Sequence, residues 1–83
     1  MNAVGIDVSK GKSMVAVMRP FGEVVLSPFE VSHSSGELSK LARLLKSLDG
    51  ESRVIMESTG NYHAPIAKVL YDTGLYVSVV NAM

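Results

Sequence analysis

The hydrophobic period of this chain first changes near Ser34, and that change points to a mixed α/β architecture. Ahead of that point apolar residues recur at every second position, and behind it the first long segment repeats every three to four. Residues 3–9 place Val4, Ile6 and Val8 on one side and Gly5, Asp7 and Ser9 on the other, which predicts a strand with one buried face. Lys10-Gly11-Lys12 reads as a tight turn, residues 13–18 as a second strand, and Arg19-Pro20-Phe21-Gly22 as another turn. A third strand is predicted over 23–26 and on towards Glu30, with Pro28 marking its far half as an edge or a bulge. Connections this short permit only an antiparallel meander.

Over residues 35–48, Leu38, Leu41, Leu45 and Leu48 form one helical stripe that Leu44 widens. Ser34 or Ser35 caps its start, and Asp49-Gly50 stops it. Residues 53–57 read as a short strand and Ser58-Thr59-Gly60-Asn61 as a turn. A second helix follows over 62–71, with Ile66, Val69 and Leu70 inward and Pro65 tolerated near its start. Asp72-Thr73-Gly74 ends that helix, and 75–80 is the last strand. The predicted order is β-β-β-α-β-α-β. Each helix is long enough to return the next strand parallel to the sheet, which pairs the fourth strand with the first.

Eighty-three residues suffice for one small domain, which buries about 60% of its unfolded surface. Apolar residues are 47% of the chain and mean hydropathy is +0.25, which argues against disorder. Eight basic residues balance eight acidic ones, so no electrostatic footprint for nucleic acid or a membrane surface is present. Lys40, Arg43 and Lys46 lie off the leucine stripe and read as a solvated face before a DNA surface. Without cysteine, disulfides and thiolate metal sites are excluded. No secretory leader and no run approaching about 18 apolar residues is seen, so the expected location is cytoplasmic, with no membrane partner. Met14, Met18 and Met56 read as core filler, and Tyr62, Tyr71 and Tyr76 as half-buried aromatics rather than a base-stacking platform. The chain stops directly after an apolar strand, so a longer parent polypeptide is expected.

Asp7 interrupts the first strand with a charge flanked by Gly5 and Ser9, small residues that leave room for an ion or a phosphate. A bridge to Lys10 or Lys12 is the plainer alternative. Glu57 closes the fourth strand, where groups at strand carboxyl ends face the ligand crevice of α/β sheets. Its plainer role is to help cap the helix that follows. With strands one and four adjacent, both acids converge on one divalent cation. Mg²⁺ takes oxygen ligands and commonly binds through one or two carboxylates plus substrate phosphates. Asp49 and Asp72 read as helix-terminal turn residues and not as further ligands.

Gly5-Ile6-Asp7-Val8-Ser9-Lys10, then Glu57-Ser58-Thr59-Gly60 with Tyr62-His63, then Val79-Val80-Asn81 together resemble the start of the DEDD insertion-sequence transposases, which include the Piv-type DNA invertases. The catalytic domain of that family is similar to the ribonuclease H-like fold of RuvC-type Holliday-junction resolvases. The resemblance covers essentially the whole chain and implies an N-terminal portion, residues 1–83, of a longer ribonuclease H-like transposase domain. It implies Asp7 and Glu57 as the first two catalytic acids and ligands of Mg²⁺ or Mn²⁺, with two aspartates and a candidate serine nucleophile in the polypeptide beyond Met83; the nucleophile is either that serine or a metal-activated water. It also implies DNA as the partner, metal-dependent phosphodiester cleavage and strand exchange as the reaction, and an inactive, weakly metal-binding isolated fragment. Some relatives use an element-encoded guide RNA.

Around those acids, Ser9, Lys10, Thr59 and His63 are the candidate substrate contacts. Each has a structural alternative: Lys10 as an exposed hairpin lysine, Ser58 and Thr59 as helix caps, His63 as a satisfied structural histidine. His33, in a serine-rich loop, carries no argument. Two other classes compete. The Gly-Ile-Asp-Val-Ser start also resembles the phosphate-binding hairpin of sugar kinases and actin-like ATPases, in which Asp7 organises Mg²⁺-ATP. Alternatively the chain is a non-catalytic assembly module, and an uncovered last strand or cleft makes self-association into a homo-oligomer the expected state.

Overall fold

The computed structural model describes residues 1–81. Its first three strands, β1 (Asn2–Ser9), β2 (Lys12–Arg19) and β3 (Glu23–Ser32), form the expected meander. Helix α1 (Ser35–Ser47), strand β4 (Ser52–Ser58), helix α2 (Ala64–Asp72) and strand β5 (Tyr76–Asn81) follow. The five strands make one mixed sheet in the order β3-β2-β1-β4-β5. β1 runs antiparallel to β2 and parallel to β4, and β4 runs parallel to β5. The predicted neighbourhood of the first and fourth strands is therefore present.

One face of the sheet carries the core. Val4, Ile6 and Val8 of β1, Val15 and Val17 of β2, and Val54 and Met56 of β4 are buried against Leu38, Leu41, Ala42 and Leu45 of α1 and Ile66 and Leu70 of α2. Strand alternation at period two meets helical stripes at three and four, so both patterns point to the same side. The described helices pack on that side, α1 against β3 and α2, and α2 against β5. No described helix is long and apolar enough to cross a membrane.

Several boundaries and burials differ from the sequence expectation. β3 continues through Pro28 to Ser32, because an edge strand tolerates a missing N–H; its ladder with β2 shifts register on either side of Val17. Pro20–Gly22 closes the β2–β3 connection as a tight turn in which Phe21 is left-handed at φ 67° and fully exposed. Ser34, rather than Ser35, caps α1: its Oγ accepts from the Glu37 amide at 3.4 Å. Helix α2 begins at Ala64 and not near Tyr62. Gly60, at φ 67°, carries the turn that delays it, and Pro65 occupies its first turn. Met56 is in the core as expected, but Met14 and Met18 are 44% and 41% exposed, because they alternate with Val15 and Val17 and face away from the helices. Tyr62, Tyr71 and Tyr76 are exposed rather than half-buried. Ala82 and Met83 lie outside the described residues.

Candidate metal centre on the open sheet face

Asp7 and Glu57 are direct register partners in the parallel β1–β4 ladder. Side chains at paired positions of adjacent strands leave the sheet on the same side, here the face without helices, where both residues are exposed. Their backbones are separated by the spacing of neighbouring strands, about 4.8 Å. The remaining ladder contacts place Met14 of β2 beside Asp7 and Val80 of β5 beside Glu57. One dipeptide earlier, Gly5 lies between Ala16 and Ile55. The result is a shallow depression of about 360 Å³ whose lining includes Gly5, Asp7, Met14, Ala16, Ile55 and Glu57. Gly5 contributes open floor: a Cβ added there would meet nothing within 4 Å.

The electrostatics leave both acids available. The described ion pairs join Lys12 to Glu30 at 3.6 Å, Arg19 to Glu23 at 3.2 Å, Arg53 to Glu51 at 3.1 Å and Lys68 to Asp72 at 3.0 Å. Neither Asp7 nor Glu57 has a basic partner among the described residues, so the lysine-bridge alternative for Asp7 is not realised. Lys12 has gone across the β2–β3 ladder instead. The helix-cap alternative for Glu57 also fails, because α2 starts seven residues later with His63 as a cap that makes no side-chain bond. Like charges at register-paired positions of neighbouring strands repel each other, more strongly at a protein surface than in bulk water. A shared cation relieves that repulsion.

The donor set fits a hard divalent cation in part. Both groups are carboxylates, the ligands that Mg²⁺ and Mn²⁺ prefer, and they stand side by side on an open floor. They are two, and no cluster of three or more His, Cys, Asp or Glu side chains occurs among the described residues.

The other sequence candidates sit around this pair without lining the depression. Ser9 Oγ donates to the Lys12 carbonyl at 3.3 Å and so holds the hairpin turn. Lys10 is exposed at the tip of that turn, at the end of the sheet where Asp7 lies. Thr59 is exposed just beyond β4, whereas Ser58 is buried and its hydroxyl donates to the Thr59 carbonyl at 3.4 Å; neither caps a helix. His63 is half-buried at the start of α2 and is not a satisfied histidine: its Nδ1 is buried with no hydrogen-bond partner. Met14, expected in the core, and Ile55, given no role by the sequence, border the acids. Alternation alone assigns them to the Asp7 face, yet an apolar side chain invites a core reading. A second depression of about 420 Å³ lies at the opposite end of the parallel strands, between Lys46, Glu51 and Gly74. Ligand crevices of α/β sheets form at strand carboxyl ends, which favours the acidic pair.

No curated protein matches the chain by sequence. Among solved structures it is similar to RuvC of Thermus thermophilus, with TM-score 0.67 and 16% identity over 100% of this chain and 65% of that one. The T. thermophilus RuvC complex with a Holliday junction substrate gives 0.68 and 15% over 100% and 66%. Archaeoglobus fulgidus Pelota gives 0.62 and 19% over 98% and 26%, and a ROK family protein from Streptococcus pneumoniae 0.59 and 17% over 98% and 34%. These likenesses show a ribonuclease H-like fold, and the chain spans about two thirds of the length of the RuvC structures it matches. The ROK likeness, at 17% identity, shows the fold alone. A family model described as a transposase, of the IS110-type DEDD group, matches residues 4–83, and the chain belongs to that DEDD transposase family.

Proposed function

We propose that residues 1–83 are the N-terminal portion of a longer DNA transposase domain that cleaves and exchanges phosphodiester strands with Mg²⁺ or Mn²⁺. In this reading Asp7 and Glu57 are the first two metal ligands, and two later aspartates complete the set. The observation that carries it is the register pairing of two unbridged carboxylates at neighbouring strand positions on the uncovered face. Family membership and the portion of RuvC length that the chain spans support it.

When bound, the cation would neutralise charge on the scissile phosphate and its leaving oxygen. The chain's own residues do the rest. Asp7 and Glu57 fix the position of positive charge on the sheet. Gly5 and Ala16 keep the floor low enough for a phosphate to approach. The Lys10 ammonium, projecting from the hairpin at the same end, attracts the DNA backbone as a point charge. Ser9 holds that hairpin's shape through its bond to Lys12 and leaves phosphate contact to Lys10.

The test is element excision or transposition in cells by the complete transposase carrying Asp7→Asn or Glu57→Gln, with protein levels matched. Loss of an outer-shell partner alone costs 10–100-fold in metal sites, so loss of a direct ligand is expected to lower activity by at least about 100-fold. Full activity in either variant removes that acid from the reading.

A further inference from the structure

Arg53 and Tyr76 are register partners where the parallel strands β4 and β5 begin, and the Arg53 guanidinium lies over the Tyr76 ring, 5.2 Å from its centroid. The pair shares the open side of the sheet with Glu57, because residues four apart on one strand point the same way. The core side of β4 and β5 is carried by Val54, Met56 and Val77 instead. Tyr76 is 63% exposed, and the described bond of Arg53, to Glu51 at 3.1 Å, uses Nε, one of several donors on the guanidinium. Tyr76 also borders the depression of about 420 Å³ at this end of the sheet, whose lining includes Lys46, Glu51, Ser52 and Gly74. Lys46 comes from the last turn of α1, with its Nζ 3.9 Å from where a Cβ on Gly74 would lie. It has no acidic partner among the described residues. An exposed ring thus carries one cation on its face and borders a cavity that holds a second.

We propose that Tyr76, Arg53 and Lys46 form a second subsite, which takes an unpaired nucleotide of the DNA strand that passes the acidic pair. The Tyr76 ring stacks on the base, and Arg53 and Lys46 meet the neighbouring phosphates. Every base has a π-face, so such a subsite holds a strand without reading its sequence. A paired duplex does not fit, because its bases stack on one another and offer the ring no free face. Between the two sites the open face is low, with Ile55 flanked by Gly5 and Ser78. Arg53 and Glu57 are four residues apart on β4, about 13 Å at the rise of a strand. That distance spans roughly four nucleotides of a stacked strand at about 3.4 Å each, and fewer of an extended one. The two ends also differ in sign: the acids admit a phosphate only with a cation between them, whereas Arg53 and Lys46 attract it directly. In the sequence Tyr76 stands apart from basic residues, and only the β4–β5 ladder and the end of α1 bring the cations to it. The inference rests on the reading of DNA as substrate, but not on the metal centre.

The experiment is NMR of the 83-residue chain titrated with a short oligodeoxythymidylate, first without metal and then with Mg²⁺, with circular dichroism to check folding of each variant. Saturable shifts of the Tyr76 ring and Arg53 Nε–H resonances are expected in both conditions. Tyr76→Leu should weaken binding about tenfold and Tyr76→Phe by less than about twofold, because the ring and not the hydroxyl stacks. Arg53→Gln and Lys46→Gln should each lower the salt dependence of the affinity by about one phosphate contact. Tyr71→Leu, which removes a tyrosine of 70% exposure from the helix side, should change nothing. Absence of shifts at Tyr76, binding indifferent to Tyr76→Leu, or an equal loss on Tyr71→Leu overturns the proposal. If the Tyr76→Leu chain does not fold, an unchanged salt dependence in Arg53→Gln and Lys46→Gln overturns it. An oligonucleotide that perturbs only the surroundings of Asp7 and Glu57, once Mg²⁺ is present, refutes the subsite and leaves the metal centre standing. Binding at Tyr76 with no response of the two acids to Mg²⁺ has the opposite meaning.

Discussion

Asn2 donates from Nδ2 to the Asp49 carbonyl at 2.8 Å and to the Ser52 hydroxyl at 3.1 Å, while its Oδ1 accepts from Arg19 Nε at 3.0 Å. It is fully buried, and it is the rung of the β1–β4 ladder opposite Ser52. Five rungs on, the same ladder aligns Asp7 with Glu57. A slip of one residue would turn one of the two carboxylates into the core, so a buried amide with all its partners defines the register on which the acidic pair depends. His33 does comparable work at the other end. Its amide donates to the Gly11 carbonyl at 3.0 Å and its Nε2 meets Ser13 Oγ at 2.7 Å, which fastens the end of β3 to the hairpin that carries Lys10. Burial lowers the pKa of His33 below 6.5, so the folded state favours the neutral ring. The unfolded chain then takes up the proton first on acidification. The stability linked to this residue is fully present above pH 6.5 and is lost as pH falls through the lowered folded value. Urea midpoints should drop between pH 7.5 and 5.5, and His33→Gln should flatten that drop; an unchanged slope would show that His33 contributes nothing to it. Neither residue was legible in the sequence. Asn2 stands at the start of an apolar run and His33 among serines, and the partners of both are reached only through tertiary pairing.

The strands and helices were legible where periodicity alone decides them. β1 and β4 each bury every second residue, as their sequences alternate, and the α1 stripe of Leu38, Leu41 and Leu45 is the buried face of that helix. The departures occur where a local signal has two readings. Pro28 breaks an internal strand but not an edge one, so the length of β3 depends on its place in the sheet. Pro65 is equally compatible with a helix beginning at Tyr62 or at Ala64, and the turn at Gly60 decides for the later start. Met14 and Met18 alternate correctly yet face the side that the described helices do not cover. This two-sidedness makes a direct prediction. Ile66→Ala removes a side chain of 0% exposure from α2 and should cost about 2–5 kcal/mol in denaturant unfolding. Ile55→Ala, at 57% exposure on the sheet's other face, should cost less than about 0.5 kcal/mol. Equal costs would mean that both faces are core.

Across the whole molecule, one layer of helices and one layer of sheet separate two tasks. The helical side supplies stability through a continuous apolar core, and the open side presents the acidic pair on a low, weakly charged floor. In the proposed reading, a chain with no net charge would contribute a metal position rather than an electrostatic grip. Both acids of the candidate centre were legible from sequence, because an aspartate inside an apolar strand and a glutamate at a strand end are conspicuous. Their pairing was legible only through topology, since fifty residues separate them. The central claim, that Asp7 and Glu57 hold one cation between them, is tested most directly by titrating the chain with Mn²⁺ and following side-chain carboxyl resonances by NMR. The account predicts that both resonances broaden together, with weak affinity, and that Asp7→Asn or Glu57→Gln abolishes the effect at the partner as well. Broadening at one carboxyl that persists when the other is neutralised would contradict it.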